Sequence, residues 1–372
     1  MRTLPSFHED MLELAARRHG ERGISRRGFG AGVGALGALA ALGGGREAAA
    51  QAKELVYVNW GGAADFAYKE YYGKPFTARH PGVKFVSDTS GPSAGKIRAM
   101  VESKKITWDV CDANAMTALS LGQGGFLEKI DYSVVKRSDF VPGTLYEYGC
   151  SPYVFSNVLA YDATKFANDP PKGVSDFLNF QKYPGKRLLR RDANCMLEHL
   201  LVADGVPLDK IYPIDTKRAI DILKRHRKDL VFWTSGGESE QIMRTGEAVM
   251  GMIWNTRAKV LFDETRGKIN WTWNGGVFQP GVCVVPKGNP GGAIAQQFFA
   301  FIGGAEDVQL GFFGYYGGGP SNPRAAARVS PDLKRFNPSD AANLKVQVVY
   351  DGEWWGKNYN DANQRYLDSI AG

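Results

Sequence analysis

The chain has 372 residues and a formal net charge of +7, with 44% hydrophobic and 23% charged residues. This composition is ordinary for a globular protein of about two domains, and a chain of this length can bury a large core without disulfide or metal staples. No run of basic residues resembles a nucleic-acid-binding patch, so we expect no nucleic-acid partner.

The first 52 residues have the three parts of an export signal. The pair Arg26 and Arg27 precedes a phenylalanine, a weakly apolar stretch covers residues 31–45, and a small-x-small motif ends at Ala52. This combination resembles a twin-arginine signal. A membrane anchor would need about 20 strongly apolar residues, which the segment lacks. We therefore predict cleavage after Ala52 and export to the periplasm.

From residue 53 onward, strand and helix patterns alternate. Strands are predicted at 55–60, 83–87, 108–112, 157–161, 249–254 and 282–286, and the main helices at 68–78, 96–103, 194–204, 215–226 and 293–302. The glycine-rich segment 311–323 is predicted to be a loop. Such alternation is typical of an α/β fold with a mostly parallel sheet, in which ligands bind beyond the carboxyl ends of the strands.

Seven short motifs follow one another along this part of the chain. They are NW at 59–60, WDV at 108–110, GGFLEKID at 124–131, SPY at 151–153 with VLAYD at 158–162, GEAVMGMIWN at 246–255, GGVF at 275–278 and PSNP at 320–323. With these motifs in this order, residues 53–372 resemble the periplasmic solute-binding proteins of ABC importers. The resemblance is to the branch that contains the spermidine/putrescine-binding proteins.

The resemblance implies a fold of two lobes, of the type II periplasmic-binding-protein kind, with a hinge between them. Lobe 1 would comprise residues 53–155 plus 282–320, and lobe 2 residues 156–281 plus 321–372 with the C-terminal helices. The crossing segments would lie near 153–158 and 279–282. The implied function is to capture a small solute and deliver it to the membrane permease subunits, as a monomer without a cofactor and without catalysis.

The resemblance also indicates where the ligand would lie. Trp60 and Trp254 stand where the family has stacking aromatic residues, and Asp192 matches a family carboxylate. Two departures stand out: Cys195 replaces a glutamate of the polyamine binders, and Gln279-Pro280-Gly281 replaces their Trp-Met-Asp. Polyamines need several carboxylates, since an unpaired buried ammonium group is costly. The departures therefore argue against a long polyamine.

Basic residues beside the retained carboxylate suggest a different ligand. Arg190 and Arg191 directly precede Asp192, and a strand end with arginine before a helix is suited to bind an anion. A ligand with one amine and one carboxylate, such as an ω-amino acid, would satisfy both charges. A structural ion pair between Arg191 and Asp192 is the alternative. The predicted ligand-binding residues are Trp60, Ser90, Tyr153, Arg191, Asp192, Trp254, Asn255 and Gln279.

Three other functions stay open at this stage. Polyamine binding is the first alternative. Ferric-iron binding is the second, because Tyr153, Tyr315 and Tyr316 could supply oxygen ligands to a hard cation. An exported enzyme is the last, but the chain contains no Gly-x-Ser-x-Gly, His-Glu-x-x-His or dinucleotide-binding glycine motif. The pairing of the four cysteines cannot be deduced from their spacing; they are Cys111, Cys150, Cys195 and Cys283.

Overall fold

The structure is a computed structural model that describes residues 53–141 and 143–371. The predicted export signal lies outside the described residues. Within the described part of the chain, no helix combines the length and the apolar character needed to cross a bilayer.

Eleven strands form one mixed sheet. They are β1 (Lys53–Val58), β2 (Val83–Asp88), β3 (Val110–Asp112), β4 (Leu145–Tyr146), β5 (Gly149–Asp162), β6 (Arg187–Arg190), β7 (Leu230–Trp233), β8 (Met250–Trp254), β9 (Ile269–Val284), β10 (Gly319–Pro320) and β11 (Val348–Val349). The main order is β2-β1-β3-β9-β5-β8-β6-β7, with the short strands β4 and β10 on β5 and β11 on β9.

Two long antiparallel strands join two parallel groups of strands. We call β1, β2 and β3, with the segments between them, the first flank. We call β6, β7 and β8, with the segments between them and the helix that follows β8, the second flank. The strands within each flank are parallel. Strands β5 and β9 are antiparallel to each other, and their register pairs Tyr153 with Gly281 and Phe155 with Gln279. The two segments that the sequence analysis predicted as crossings are therefore hydrogen-bonded neighbours. The predicted α/β fold class is confirmed.

Helices cover both faces of this sheet. The α-helices are α1 (Ala63–Ala67), α2 (Lys74–Arg79), α3 (Ala94–Ser103), α4 (Ala115–Gln123), α5 (Met196–Ala203), α6 (Thr216–His226), α7 (Gly236–Thr245), α8 (Asn255–Glu264), α9 (Ala293–Gly304), α10 (Glu306–Tyr316), α11 (Pro323–Ala327), α12 (Ala341–Leu344) and α13 (Gly352–Ala371). A π-helical segment, Tyr68–Gly73, connects α1 to α2. Short 3₁₀ turns occupy Arg137–Asp139, Val174–Asp176, Leu208–Lys210, Arg227–Asp229 and Lys334–Phe336.

Helix α6 shows how the sequence produces these elements. Asp215 precedes it, and its side chain accepts a hydrogen bond of 2.9 Å from the backbone N–H of Arg218, which satisfies one of the free N–H groups at the helix start. Ile220 and Leu223 are buried at helical spacing, while the opposite face is charged. The local pattern alone therefore determines the position and the buried face of this helix.

The predicted loop at 311–323 is wrong in its first half. Helix α10 continues to Tyr316 and ends at Gly317, whose φ of 78° terminates the helix. Gly311 lies inside this helix at a close contact. A Cβ built on Gly311 would lie 2.7 Å from the ring of Tyr71, so a larger residue would not fit there. Phe312 and Tyr316 are buried at helical spacing. Packing against the π-helical segment thus outweighs the low helix propensity of glycine.

The four cysteines are buried and free in this structure. Cys150 on β5 and Cys283 on β9 are register partners in the sheet, and Cys111 lies on the neighbouring strand β3. Burial raises the pKa of the Cys150 and Cys283 thiols well above the usual value, so these side chains remain neutral. Their environment is that of small hydrophobic core residues.

Candidate functional site

A small cavity lies where the two flanks approach each other. It surrounds about 290 Å³ of empty space, part of which is open to solvent. Its lining residues are Trp60, Asp112, Ala113, Tyr153, Phe155, Trp254, Thr256 and Tyr316. Several of them stand at or just past the carboxyl ends of parallel strands, which is where α/β sheets place ligand sites.

Among the described residues, Asp112 is the only carboxylate that lines the cavity. It ends β3 and is 1% exposed. The hydroxyl groups of Tyr68 and Tyr153 each donate to a different carboxylate oxygen, at 2.8 and 2.9 Å. Burial raises the pKa of the Asp112 carboxyl to about 6, although these two hydrogen bonds and the charge of Arg257 act in the opposite direction. The group is therefore mostly ionised at neutral pH and retains acceptor capacity for a cation.

Aromatic rings form the other side of the cavity. The rings of Trp60 and Trp254 lie 6.1 Å apart at an angle of 56°. Phe155 meets Trp254 edge to face at 6.5 Å, and Trp233 packs against the far side of Trp254 at 4.9 Å. Trp60 follows β1 in the first flank, whereas Trp254 ends β8 in the second. The two indoles therefore face each other across the junction of the flanks.

Arg190 lies next to these indoles. It ends β6, and its guanidinium carbon is 5.7 Å from the ring centre of Trp60, 5.2 Å from that of Trp254 and 5.5 Å from that of Trp233. Within residues 53–141 and 143–371, no ion pair and no side-chain hydrogen bond involves this guanidinium. A half-buried arginine held by aromatic faces keeps its hydrogen-bond donors available for an anion.

A second arginine lies behind the cavity. Arg257 on α8 is fully buried, and its Nη1 lies 3.1 Å from the Oε1 atom of Glu240 on α7. Its Nη2 donates to the backbone carbonyl of Gly61 at 3.0 Å, and its guanidinium stacks 5.2 Å from the ring centre of Tyr316. Burial raises the pKa of Glu240 while the charge of Arg257 lowers it. Unlike Arg190, Arg257 is already paired.

The residues predicted from the sequence fall into three groups. Trp60, Tyr153 and Trp254 line the cavity together. Asn255 and Gln279 are buried nearby, but their side chains already form hydrogen bonds with other groups of the protein. Asn255 accepts from the backbone N–H of Ser156 and donates to the carbonyl of Gly317, both at 2.8 Å.

The remaining predicted residues lie elsewhere. The Oδ2 atom of Asp192 accepts from Tyr359 at 2.9 Å, and its Oδ1 accepts from the backbone N–H of Asn194, so this carboxylate fixes helix α13 and its own loop. Ser90 and Arg191 are exposed. No ion pair between Arg191 and Asp192 occurs among the described residues. Their ligand-binding roles stay predictions.

Several cavity residues were not predicted from the sequence. Asp112 is the last residue of a predicted strand and Ala113 follows it, so the strand-end rule could have identified both. Phe155 and Thr256 are neighbours of residues that were predicted. Tyr316 was named only as a candidate iron ligand; it lines the cavity, whereas Tyr315 packs outside it on Phe66 and Tyr71. In the described ranges, no three His, Cys, Asp or Glu residues cluster in a way that could hold a metal ion.

The protein family described as bacterial extracellular solute-binding protein matches residues 72–342. The gamma-aminobutyric acid-binding protein of Pseudomonas aeruginosa is 31% identical over 325 residues, which cover 86% of this chain and 91% of that protein. These matches confirm the solute-binding family that the sequence motifs predicted.

Two solved structures are similar over the same part of the chain. A GABA receptor has a TM-score of 0.76 and 28% identity and covers 86% of this chain and 98% of its own. A periplasmic binding protein from A. tumefaciens R10, solved with agropinic acid, has a TM-score of 0.79 and 30% identity, with coverage of 86% and 99%.

Proposed function

Because the chain belongs to the bacterial extracellular solute-binding proteins, we propose that it binds an ω-amino acid of about the size of γ-aminobutyrate (GABA) in the cavity between its two flanks. It would then deliver this ligand to the permease of an ABC importer. The periplasm is the proposed compartment, reached through the twin-arginine signal predicted at residues 1–52.

One observation carries the proposal: an ionised carboxylate lines the cavity, and an arginine lies against two of the indoles that line it, so both charges are available beside the same aromatic rings. Asp112 offers an ionised carboxylate at one side. Arg190 offers an unpaired guanidinium beside the rings of Trp60 and Trp254. A linear zwitterion with a few methylene groups is complementary to this arrangement, because each of its charged ends meets the opposite charge.

Each part of such a ligand has a proposed partner. The ammonium group would donate to the Asp112 carboxylate, which Tyr68 and Tyr153 hold in place. The methylene groups would lie against Trp60 and Trp254, where burial of apolar surface stabilises the complex. The carboxylate would accept two hydrogen bonds from the fork of Arg190.

This assignment replaces two charged residues of the sequence prediction. Asp192 and Arg191 neighbour the aromatic site in sequence, but the structure commits the first to Tyr359 and exposes the second to solvent. Asp112 and Arg190 take their places, while the predicted ligand chemistry is unchanged. The two lobes of the sequence prediction remain a proposal, in which the flanks close on the ligand by bending along β5 and β9.

The same charges disfavour a long polyamine. A diamine would place its second ammonium group near the guanidinium of Arg190, and like charges in a desolvated site repel each other. Spermidine would in addition need a third acid, while Asp112 is the only carboxylate in the lining. We therefore expect spermidine and putrescine to bind weakly or not at all.

Thermal unfolding of the purified mature protein with a ligand panel tests the proposal, because a ligand that binds only the folded state raises its stability by mass action. The panel contains GABA, β-alanine and 5-aminovalerate, with butyrate, putrescine and spermidine as controls that lack one end or duplicate it. We expect the melting temperature to rise with an ω-amino acid and to change little with the controls. A clear rise with spermidine and none with any amino acid would refute the proposal.

A further inference from the structure

Glycines bring the two flanks close together beside the cavity. Gly61 and Gly62 follow β1 in the first flank, with φ angles of 67° and 60°. Gly237 in the first turn of α7 belongs to the second flank, and a Cβ built on Gly62 would lie 3.4 Å from its Cα. The two backbones thus approach closely at positions that carry no side chain. Glycine is what allows an approach this close and these positive φ angles.

Arg257 is a charged side chain that crosses this contact. It is anchored in the second flank by its position on α8 and by Glu240 on α7. Its Nη2 reaches the first flank, where it donates to the carbonyl of Gly61 at 3.0 Å. Arg257 is fully buried and is absent from the cavity lining, so it links the flanks without touching the space proposed for the ligand.

We propose that Arg257 is a latch that holds the flanks shut over the ligand by bonding to the Gly61 carbonyl. It is a positioning residue, which acts on the ligand through the lifetime of the closed state. The inference rests on the proposed function, since a latch serves a protein that opens and closes around a solute. A hydrogen bond from a charged donor favours the state that contains it by a factor of about ten or more in the equilibrium constant.

Gly236 allows this latch to be disturbed without removing a charge. It is the first residue of α7, and a Cβ built on it would lie 2.4 Å from Nε and 2.6 Å from Cζ of Arg257. Gly236→Ala therefore pushes the guanidinium away from Gly61 while the charge of Arg257 is kept. Gly237→Ala, one residue along the same helix, is the matched control, since its Cβ meets nothing within 4 Å.

The test measures closure and ligand release in both variants. Spin labels at Glu102→Cys in the first flank and Glu247→Cys in the second report the distance between flanks, and both positions are exposed. Stopped-flow fluorescence gives the dissociation rate of GABA. We expect Gly236→Ala to release GABA about tenfold faster than wild type and to have a larger open population. Gly237→Ala should behave as wild type.

Each other outcome is decisive. Equal release rates and equal distance distributions in the two variants would overturn the latch. If wild type does not bind GABA, the proposed function fails, and the latch is judged on the unliganded distance distributions alone; it then predicts more open molecules in Gly236→Ala than in Gly237→Ala. Arg257→Lys, which keeps a charge opposite Glu240 but cannot donate to two partners with a fork, should fall between wild type and Gly236→Ala in release rate.

Discussion

Replacing Asp112 with asparagine should stabilise the empty protein and abolish ligand binding. The buried carboxylate is costly in the folded state because burial outweighs its hydrogen bonds and raises its pKa from 3.8 to about 6. An asparagine is uncharged, and it can keep both tyrosines bonded through its oxygen and its amino group. The same change would remove the negative charge proposed to hold the ligand ammonium group.

The size of the stability effect follows from the pKa change. A difference of about two pH units between the unfolded and folded pKa corresponds to about 3 kcal/mol. Because the folded pKa is the higher one, the cost is present above pH 6 and disappears as the pH falls through 6 toward 3.8. Asp112→Asn should therefore be up to about 3 kcal/mol more stable than wild type at pH 7, and about equally stable near pH 4.

Urea unfolding at pH 7 and pH 4, together with calorimetric titration of GABA, measures both effects. The proposed ligand ammonium group should lower the pKa of Asp112, so wild type should release protons when it binds GABA at pH 6. Titration in two buffers of different ionisation enthalpy detects this release. An Asp112→Asn variant that still binds GABA with wild-type affinity, or that is less stable than wild type at pH 7, would refute the reasoning.

Other predictions concern affinity, stability and export. Trp254→Ala should weaken binding of the true ligand by a factor of about 5–30 in titration calorimetry, and unchanged affinity in a folded variant would mean that the indole is only core. Arg190→Gln should weaken GABA binding by more than about 100-fold by leaving the ligand carboxylate unpaired, and wild-type binding would contradict the assignment. Glu198 on helix α5 is fully buried, and burial raises its pKa to about 7, so the empty protein should gain stability as the pH falls from 8 to 6, and Glu198→Gln should reduce that gain. Changing both Arg26 and Arg27 to lysine should stop periplasmic accumulation in cell fractionation, and an unchanged processed form would refute the twin-arginine prediction.

The sequence predicted the fold class well because strand and helix periods are local. Helix α6 and the buried strand β8 lie close to their predicted bounds. Segment 311–323 was predicted poorly because the fit of Gly311 against Tyr71 depends on a residue 240 positions away in the chain. Such long-range contacts leave no local pattern.

The sequence predicted the aromatic residues of the site but not its charged residues. Trp60 and Trp254 stand at strand ends, where position alone indicates a ligand site. Arg190 and Arg191 are adjacent, and side chains alternate along a strand, so one of them faces the indoles and the other faces solvent. The sequence could not decide which, because that depends on the face that the neighbouring strands cover.

The sequence also could not predict that Cys195 and Gln279, which both depart from the polyamine pattern, are in contact. The amide nitrogen of Gln279 donates to the sulfur of Cys195 at 3.2 Å, and the Cys195 thiol donates to Asn194 at 3.3 Å. In the polyamine pattern a glutamate stands at position 195 and an aspartate at position 281, where this chain has Cys195 and Gly281. The chain therefore lacks two acids near this contact, and Gln279 bonds to a neutral thiol instead.

A crystal structure of the mature protein grown with GABA would test the central claim most directly. We predict density for one GABA molecule in the cavity between Trp60 and Trp254. Its nitrogen should lie within hydrogen-bond distance of the Asp112 carboxylate, and its carboxylate should contact the guanidinium of Arg190. GABA bound in another place, or in the reverse orientation with its nitrogen beside Arg190, would contradict the account.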